Sequence, residues 1–184
     1  MEKHLNKALF LDRDGVINED YDYVYQIQNF HFKPGIFELC QYANSKGYLI
    51  FIITNQAGIA RGFYSERDFV KLTRWMLAEF QKHNCLISKV YYCPYHPEYG
   101  NSKYKRTSSY RKPGPGMILK AQKRFHVDLV HSVLIGDQTT DLQAGLKAGI
   151  GTNLLVFNPN KKSSSLLEGT FLINSLDDAI SYLT

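Results

Sequence analysis

Ala8-Leu9-Phe10-Leu11-Asp12-Arg13-Asp14-Gly15-Val16-Ile17-Asn18 is an apolar run that stops at two carboxylates and a glycine. A continuous apolar run, rather than an alternating one, marks a strand buried on both faces, as in a parallel sheet. The strand is read as Ala8 to Asp12, and four runs of the same character follow: Tyr48 to Thr54, Lys89 to Cys93, Ser132 to Gly136 and Asn153 to Phe157. Helical stretches separate them. Pro34 and Gly35 open one that runs to Ser45, with Gly47 as its stop. Ser65 begins another, with apolar residues at helical spacing from Glu66 to His83. Pro115 leads into Gly116 to Arg124, Thr140 or Asp141 heads a helix ending near Gly149, and Asp177 to Leu183 reads as the last. Strand-helix-strand alternation predicts one doubly wound α/β domain over residues 1–184, built on a parallel, Rossmann-like sheet.

Two segments break the rhythm. Residues Asn18 to Lys33 are aromatic-rich and fit a small hairpin or flap. Residues Pro94 to Lys112 form a long polar loop rich in Tyr, Ser and Lys, and long loops in compact domains are often functional. Ser163 to Ser165 reads as an exposed turn. No insertion exceeds roughly twenty residues, which leaves room for only a minimal cap over the site.

The bulk properties exclude several classes. The chain has 184 residues, 44% hydrophobic and 21% charged, an ordinary globular balance. Cys40, Cys85 and Cys93 are odd in number and lack C-x-x-C spacing, which fits a reducing compartment. The apolar run after the N-terminus is too short for a secretory leader, and no run is long enough to span a bilayer. The expectation is a soluble, cytoplasmic protein with no membrane partner. The net charge of +5 is scattered, densest over Lys103 to Lys112. It suits a small phosphate dianion as well as nucleic acid, and no Lys/Arg stripe argues for the latter. Oligomeric state leaves no mark on the sequence, so a monomer is the default.

In open parallel sheets ligands bind beyond the carboxyl ends of the strands, and there the reactive side chains gather. Asp12 and Asp14 close the first strand. Carboxylates at this spacing suit a hard cation such as magnesium, which keeps several waters and bridges to a phosphate. The second strand ends in Thr54-Asn55-Gln56-Ala57-Gly58, a hydroxyl, two amides and a glycine-containing turn able to meet phosphate oxygens. Arg61 adds a cation. Arg111-Lys112-Pro113 follows the long loop: a lysine there neutralises a transferring phosphoryl group, and an arginine grips a second anionic or hydroxyl-rich part of a substrate. The fourth strand ends in Gly136-Asp137, and Asp137 is placed as a further metal ligand. Asp141 is expected to cap the helix that follows.

Taken in this order, LDRDGVIN, ITNQAGIARG, CPYHP, RKPGPGM and GDQTTDLQAG resemble the haloacid dehalogenase superfamily of phosphatases. Within it they are similar to the D,D-heptose 1,7-bisphosphate phosphatases and their histidinol-phosphate phosphatase relatives. The resemblance implies that Asp12 attacks phosphorus to form an aspartyl-phosphate, and that Asp14 protonates the leaving oxygen and then activates water. It implies magnesium held by Asp12, the Asp14 carbonyl and Asp137. Thr54 and Lys112 hold the phosphoryl oxygens, while Asp20, Tyr23, Asn55, Gln56, Arg61 and Arg111 contact substrate. The implied reaction is removal of the 7-phosphate of D-glycero-D-manno-heptose 1,7-bisphosphate, a step towards lipopolysaccharide or surface glycan precursors. Histidinol phosphate and nucleic-acid 3′-phosphates are the alternative substrates. Many relatives carry zinc on Cys-x-His and Cys-x-Cys in the long loop. Here Cys93 is kept, but Tyr95, Ser108 and Tyr110 fill the other three positions, and a loop without zinc is expected. Gln138 stands where some relatives have a substrate-touching lysine.

Overall fold

A computed structural model describes residues 5–158 and 166–184. Six strands form one parallel sheet: β1 (Ala8–Leu11), β2 (Leu49–Asn55), β3 (Ile87–Cys93), β4 (Val133–Gly136), β5 (Thr152–Val156) and β6 (Thr170–Ile173). Their spatial order is β3-β2-β1-β4-β5-β6. The helices are α1 (Ile36–Ser45), a single turn α2 (Ala57–Ala60), α3 (Glu66–Lys82), α4 (Gly116–Phe125) and α5 (Thr139–Ala148). This is the doubly wound α/β arrangement expected from the sequence.

The apolar runs divide between two faces at period two. Leu9, Leu11, Ile50, Ile52, Val133 and Ile135 pack with residues of α1 and α3. Ala8, Phe10, Phe51, Ile53 and Leu134 pack on the other face with Met117, Ile118 and Ala121 of α4 and Ala144 of α5. Strands covered by helices on both sides have no polar face to show, hence the unbroken apolar runs. The strand order reverses between β1 and β4, so the crevice beyond their carboxyl ends is the topological switch point.

Three expectations need correction. The fourth helix expected from Thr140 or Asp141 starts at Thr139, with Asp141 in its first turn. The last helix is a 3-10 turn, Asp178–Tyr182. The edge strand β6 went unread because it is short and half exposed: Thr170 and Ile173 are buried, Phe171 and Leu172 open. The Ser163 to Ser165 turn lies outside the described residues. Segment 18–33 closes as a flap through an antiparallel bridge between Asn18 and Phe32, with a 3-10 turn at Ile27–Asn29.

The long loop 94–112 is tied down by its own groups. His96 N–H donates to the Tyr104 carbonyl at 3.1 Å and Arg106 N–H to the His96 carbonyl at 3.0 Å. Arg106 stacks on Tyr95, its guanidinium carbon 3.7 Å from the ring centre. Glu66, the first residue of α3, is the anchor: it accepts from Tyr104 at 2.6 Å, Tyr92 at 2.7 Å and Lys103 at 3.2 Å. The Tyr104 and Tyr92 hydroxyls, more than the lysine, hold its carboxyl below the usual range. A carboxyl lowered on folding stabilises the protein above its unfolded pKa of about 4.3 and loses that contribution as pH falls through the folded value. Glu66→Gln should therefore lower the denaturation midpoint at pH 7, and the gap from wild type should close below about pH 4, as urea titrations at several pH values will reveal.

Candidate active site

Asp12 follows directly on β1, still laddered to β4 through its N–H to the Ile135 carbonyl at 3.0 Å. Asp137 occupies the same place after β4. Oxygens of Asp12, Asp137 and Asp141 lie within 4.8 Å of one another, and all three residues are buried. Lys112 is buried among them. Its ammonium sits 2.8 Å from Asp12, 2.6 Å from Asp141 and 3.1 Å from the Ile53 carbonyl. Three carboxylates against one ammonium leave two formal negative charges in a buried space.

The electrostatics register that deficit from both sides. Burial pushes the Asp12 carboxyl well above the ordinary range; Lys112 opposes this, while Asp141 and Asp137 add to it. Burial works against the Lys112 ammonium too, yet Asp12 and Asp141 outweigh it and hold its pKa above that of an ordinary lysine. Both shifts say that the cluster retains positive charge. A hard divalent cation with oxygen ligands answers that need, so the donor set fits a metal such as magnesium.

Asp141 is the most committed of the three. Besides Lys112, it accepts the N–H groups of Asp137 at 3.2 Å and Gln138 at 3.0 Å; the N-cap itself is Gln138, and Asp141 closes the capping box from the third helical position instead of capping the helix as expected. Its pair with Lys112 was not foreseen. Gly15 explains how β1 and β4 loops come so close. Its φ is +89°, and a Cβ there would lie 2.2 Å from Asp137 Oδ2. Only glycine meets both conditions.

Asp14 is held by four donors. Arg13 Nε and an η nitrogen approach its Oδ1 at 3.1 and 2.9 Å, Asn18 Nδ2 at 3.1 Å, and Gln56 Nε2 its Oδ2 at 3.1 Å. Arg13 is itself buried, donating to the Val24 carbonyl at 2.7 Å, and so ties the flap to the strand end. Gln56 also donates to Thr54 Oγ1 at 2.7 Å and accepts from the Tyr64 hydroxyl at 2.5 Å. One amide thus spaces the carboxyl of Asp14 from the hydroxyl of Thr54. Asn55 clamps the Lys112 backbone, accepting its N–H at 3.0 Å and donating to its carbonyl at 3.1 Å.

These groups open on a cleft of about 210 Å³. Of the residues singled out in the sequence, Asp12, Asp14, Asp20, Tyr23, Thr54, Asn55, Gln56, Arg111 and Lys112 line it. Asp137 stands beside Asp12 in the buried cluster, outside the lining. Arg61 is also outside the lining, stacked on Tyr99 at 3.6 Å and over Tyr23 at 5.9 Å. Asp22 lies within the flap stretch Asp20 to Tyr23 expected to meet substrate, while Arg13 and Tyr64 are the site residues sequence reasoning missed. Arg13 had a signal, since a cation between two strand-end carboxylates must go somewhere. Tyr64 had none, because it reaches Gln56 only through the α2 turn.

Fold and site together define a phosphate-cleaving hydrolase of the kind with paired aspartates after the first strand. The family model described as HAD-hyrolase-like matches residues 109–179. The chain is 49% identical to D-glycero-alpha-D-manno-heptose-1,7-bisphosphate 7-phosphatase of Burkholderia mallei, over 97% of this chain and 94% of that one. It is 53% identical to the protein of the same name in Campylobacter jejuni, over 85% of each. Further relatives at 40–43% identity carry the corresponding beta name. The crystal structure of D,D-heptose 1,7-bisphosphate phosphatase from B. bronchiseptica, complexed with magnesium and phosphate, superposes with a TM-score of 0.85. It is 28% identical, with 96% of this chain and 97% of that one covered. This chain belongs to the haloacid dehalogenase-like phosphatases, in the group these relatives form. It is a phosphatase. Among the described residues no helix is long and apolar enough to cross a membrane.

Two substitutions test the construction. Tyr64→Phe strands the Gln56 carbonyl; it should cost about 1–3 kcal/mol of stability and lower kcat about tenfold by loosening Asp14, as denaturation and steady-state rates will report. Gly15→Ala should cost more than about 1 kcal/mol and roughly a hundredfold in activity, since Asp137 must move.

Proposed function

We propose that the protein removes the 7-phosphate of D-glycero-D-manno-heptose 1,7-bisphosphate through an aspartyl-phosphate, with magnesium as its cofactor. The α anomer is the preferred substrate, because the relatives at 49% and 53% identity both carry the alpha name. The observation that carries the reading is the buried convergence of Asp12 and Asp137 beside Lys112 at the switch point.

Asp12, the Asp14 carbonyl and Asp137 would hold the cation. When bound, magnesium neutralises the buried carboxylates and the phosphoryl oxygens, so that the two can approach. With that compensation Asp12 is ionised, and one of its oxygens attacks phosphorus as the bond to the sugar oxygen breaks. Asp14, steadied by Arg13, Asn18 and Gln56, gives its proton to the departing oxygen. It then takes a proton from the water that opens the aspartyl-phosphate, releasing inorganic phosphate and restoring Asp12. Lys112 shifts its charge from Asp12 to the transferring phosphoryl group, while Asp141 keeps hold of it. Thr54 donates to a phosphoryl oxygen. Asp20, Asp22 and Tyr23 line the cleft from the flap and are suited to sugar hydroxyls. The long loop is held by Tyr95, Tyr104 and Glu66 and works without zinc.

Asp12→Asn should fold normally and lose activity by roughly a thousandfold or more. Chelation should abolish wild-type turnover and added magnesium restore it, in a phosphate-release assay on both heptose anomers, histidinol phosphate and a 3′-phosphorylated oligonucleotide. Near-normal activity of Asp12→Asn would sink the covalent route, and a preference for either of the last two substrates would sink the sugar assignment.

A further inference from the structure

Strand β3 ends the spatial order of the sheet, and among the described residues nothing pairs with its outer side. Its seven residues, Ile87–Cys93, carry backbone N–H and C=O groups along about 20 Å of open edge. An edge of this length is a template for another chain unless something guards it. Here the guard is charge of a single sign. Lys89 lies exposed in the strand itself. A lysine there turns away a second basic chain, but it attracts an acidic one.

Both faces beside the edge are prepared in the same sense. On one, α3 and β3 enclose a groove of about 340 Å³. Phe69, Val70, Leu77 and Val90 make its lining mainly apolar, and the charged residues in it, Arg74 and Lys89, are both cations. Thr73 lines it too, with a buried hydroxyl that has no hydrogen-bond partner among the described residues. On the other face Tyr91 packs with Met117 and Ile118 of α4, and the Lys120 ammonium stands 6.0 Å from its ring centre. Burial pushes the Tyr91 hydroxyl up and the nearby Arg124 charge opposes it, so a second cation of α4 reaches this strand. Among the described residues Arg74, Lys89, Lys120 and Arg124 take part in no ion pair. Glu66, bonded to Tyr92 at one end of the groove, is already engaged by Tyr104 and Lys103. The groove shares no lining residue with the active-site cleft.

We propose that the outer edge of β3 is a docking site for an extended, acidic peptide segment of another protein, which adds a seventh strand to the sheet. Main-chain hydrogen bonds to the open edge supply the affinity, and alternate side chains supply the selection. Side chains of an added strand point to the two faces in turn. One set lies on the apolar groove of α3, and the other brings carboxylates to Lys120 and Arg124, with Lys89 at the edge between them. A second copy of this chain is the wrong occupant, because pairing β3 with itself would lay these cations against their own kind. A nucleic-acid strand has the charge but no backbone N–H ladder to match the edge. Charge complementarity therefore selects an acidic polypeptide.

The test titrates the full chain into a fluorescent, acetylated heptapeptide of alternating glutamate and valine, read by anisotropy. Binding should saturate with a dissociation constant below about 1 mM, and Lys89→Glu should weaken it about tenfold or more. The same peptide with lysine in place of glutamate should not bind. Hydrogen exchange reads the added strand directly: saturating peptide should slow the amides of residues 87–93 roughly tenfold, while phosphatase activity stays at its free value. A titration that fails to saturate, or that Lys89→Glu leaves unchanged, overturns the proposal. So does binding with no slowing of those amides, which would be charge attraction without strand addition. An oligothymidylate of equal charge that binds as tightly as the peptide would make the edge a polyanion surface and overturn it too. Sedimentation showing a wild-type dimer that Lys89→Glu dissociates would give the edge to a second copy instead.

Discussion

Three buried carboxylates converge on one lysine, and the rest of the molecule is arranged to make that tolerable. Asp12 and Asp137 come from neighbouring strands on the two sides of the switch point, and Lys112 from the end of a long loop. None of them is stable there alone, because a buried charge without a partner is costly. Lys112 covers two of the three, and the remaining negative charge suits a divalent cation. A sheet whose strands are sealed by helices on both faces supplies the rigid backing.

Around that cluster the polar groups are organised in layers rather than scattered. Gln56 ties Asp14 to Thr54, and Tyr64 fixes Gln56. Asn55 grips the backbone of Lys112 and Asp141 holds its ammonium. Arg13 links Asp14 to the flap carbonyl of Val24. Residues that looked from the sequence like substrate contacts, Asn55 and Gln56 above all, have their amides engaged by the protein itself. As placed, the two amides hold the side chains of Asp14 and Thr54 and the backbone of Lys112.

Much of this was legible before any coordinates. The unbroken apolar run of Leu9 to Leu11 announced a doubly covered strand, and the carboxylates after it announced a site. The end of β4 repeats that logic at Asp137. What escaped reading depended on contacts across the fold. Strand β6 is short and exposes Phe171 and Leu172, so it has neither a full apolar run nor a clean alternation. Tyr64 meets Gln56 because α2 turns the chain back, and no local pattern encodes that meeting. Asp141 was legible in the capping of α5, yet its grip on Lys112 joins residues 29 positions apart. Arg61 was readable as a nearby cation but not as one seated on Tyr99, which arrives from another loop.

The central claim is that the carboxyl groups after β1 and β4 share one cation. Thermal unfolding of the wild type and of Asp137→Asn, each titrated with magnesium at constant ionic strength, tests it most directly. A ligand bound only by the folded state raises the melting temperature in proportion to its occupancy. The wild type should gain stability along a saturable one-site curve, and Asp137→Asn should lose that response. A wild type whose melting temperature is indifferent to magnesium, or a variant that responds as the wild type does, would contradict the account.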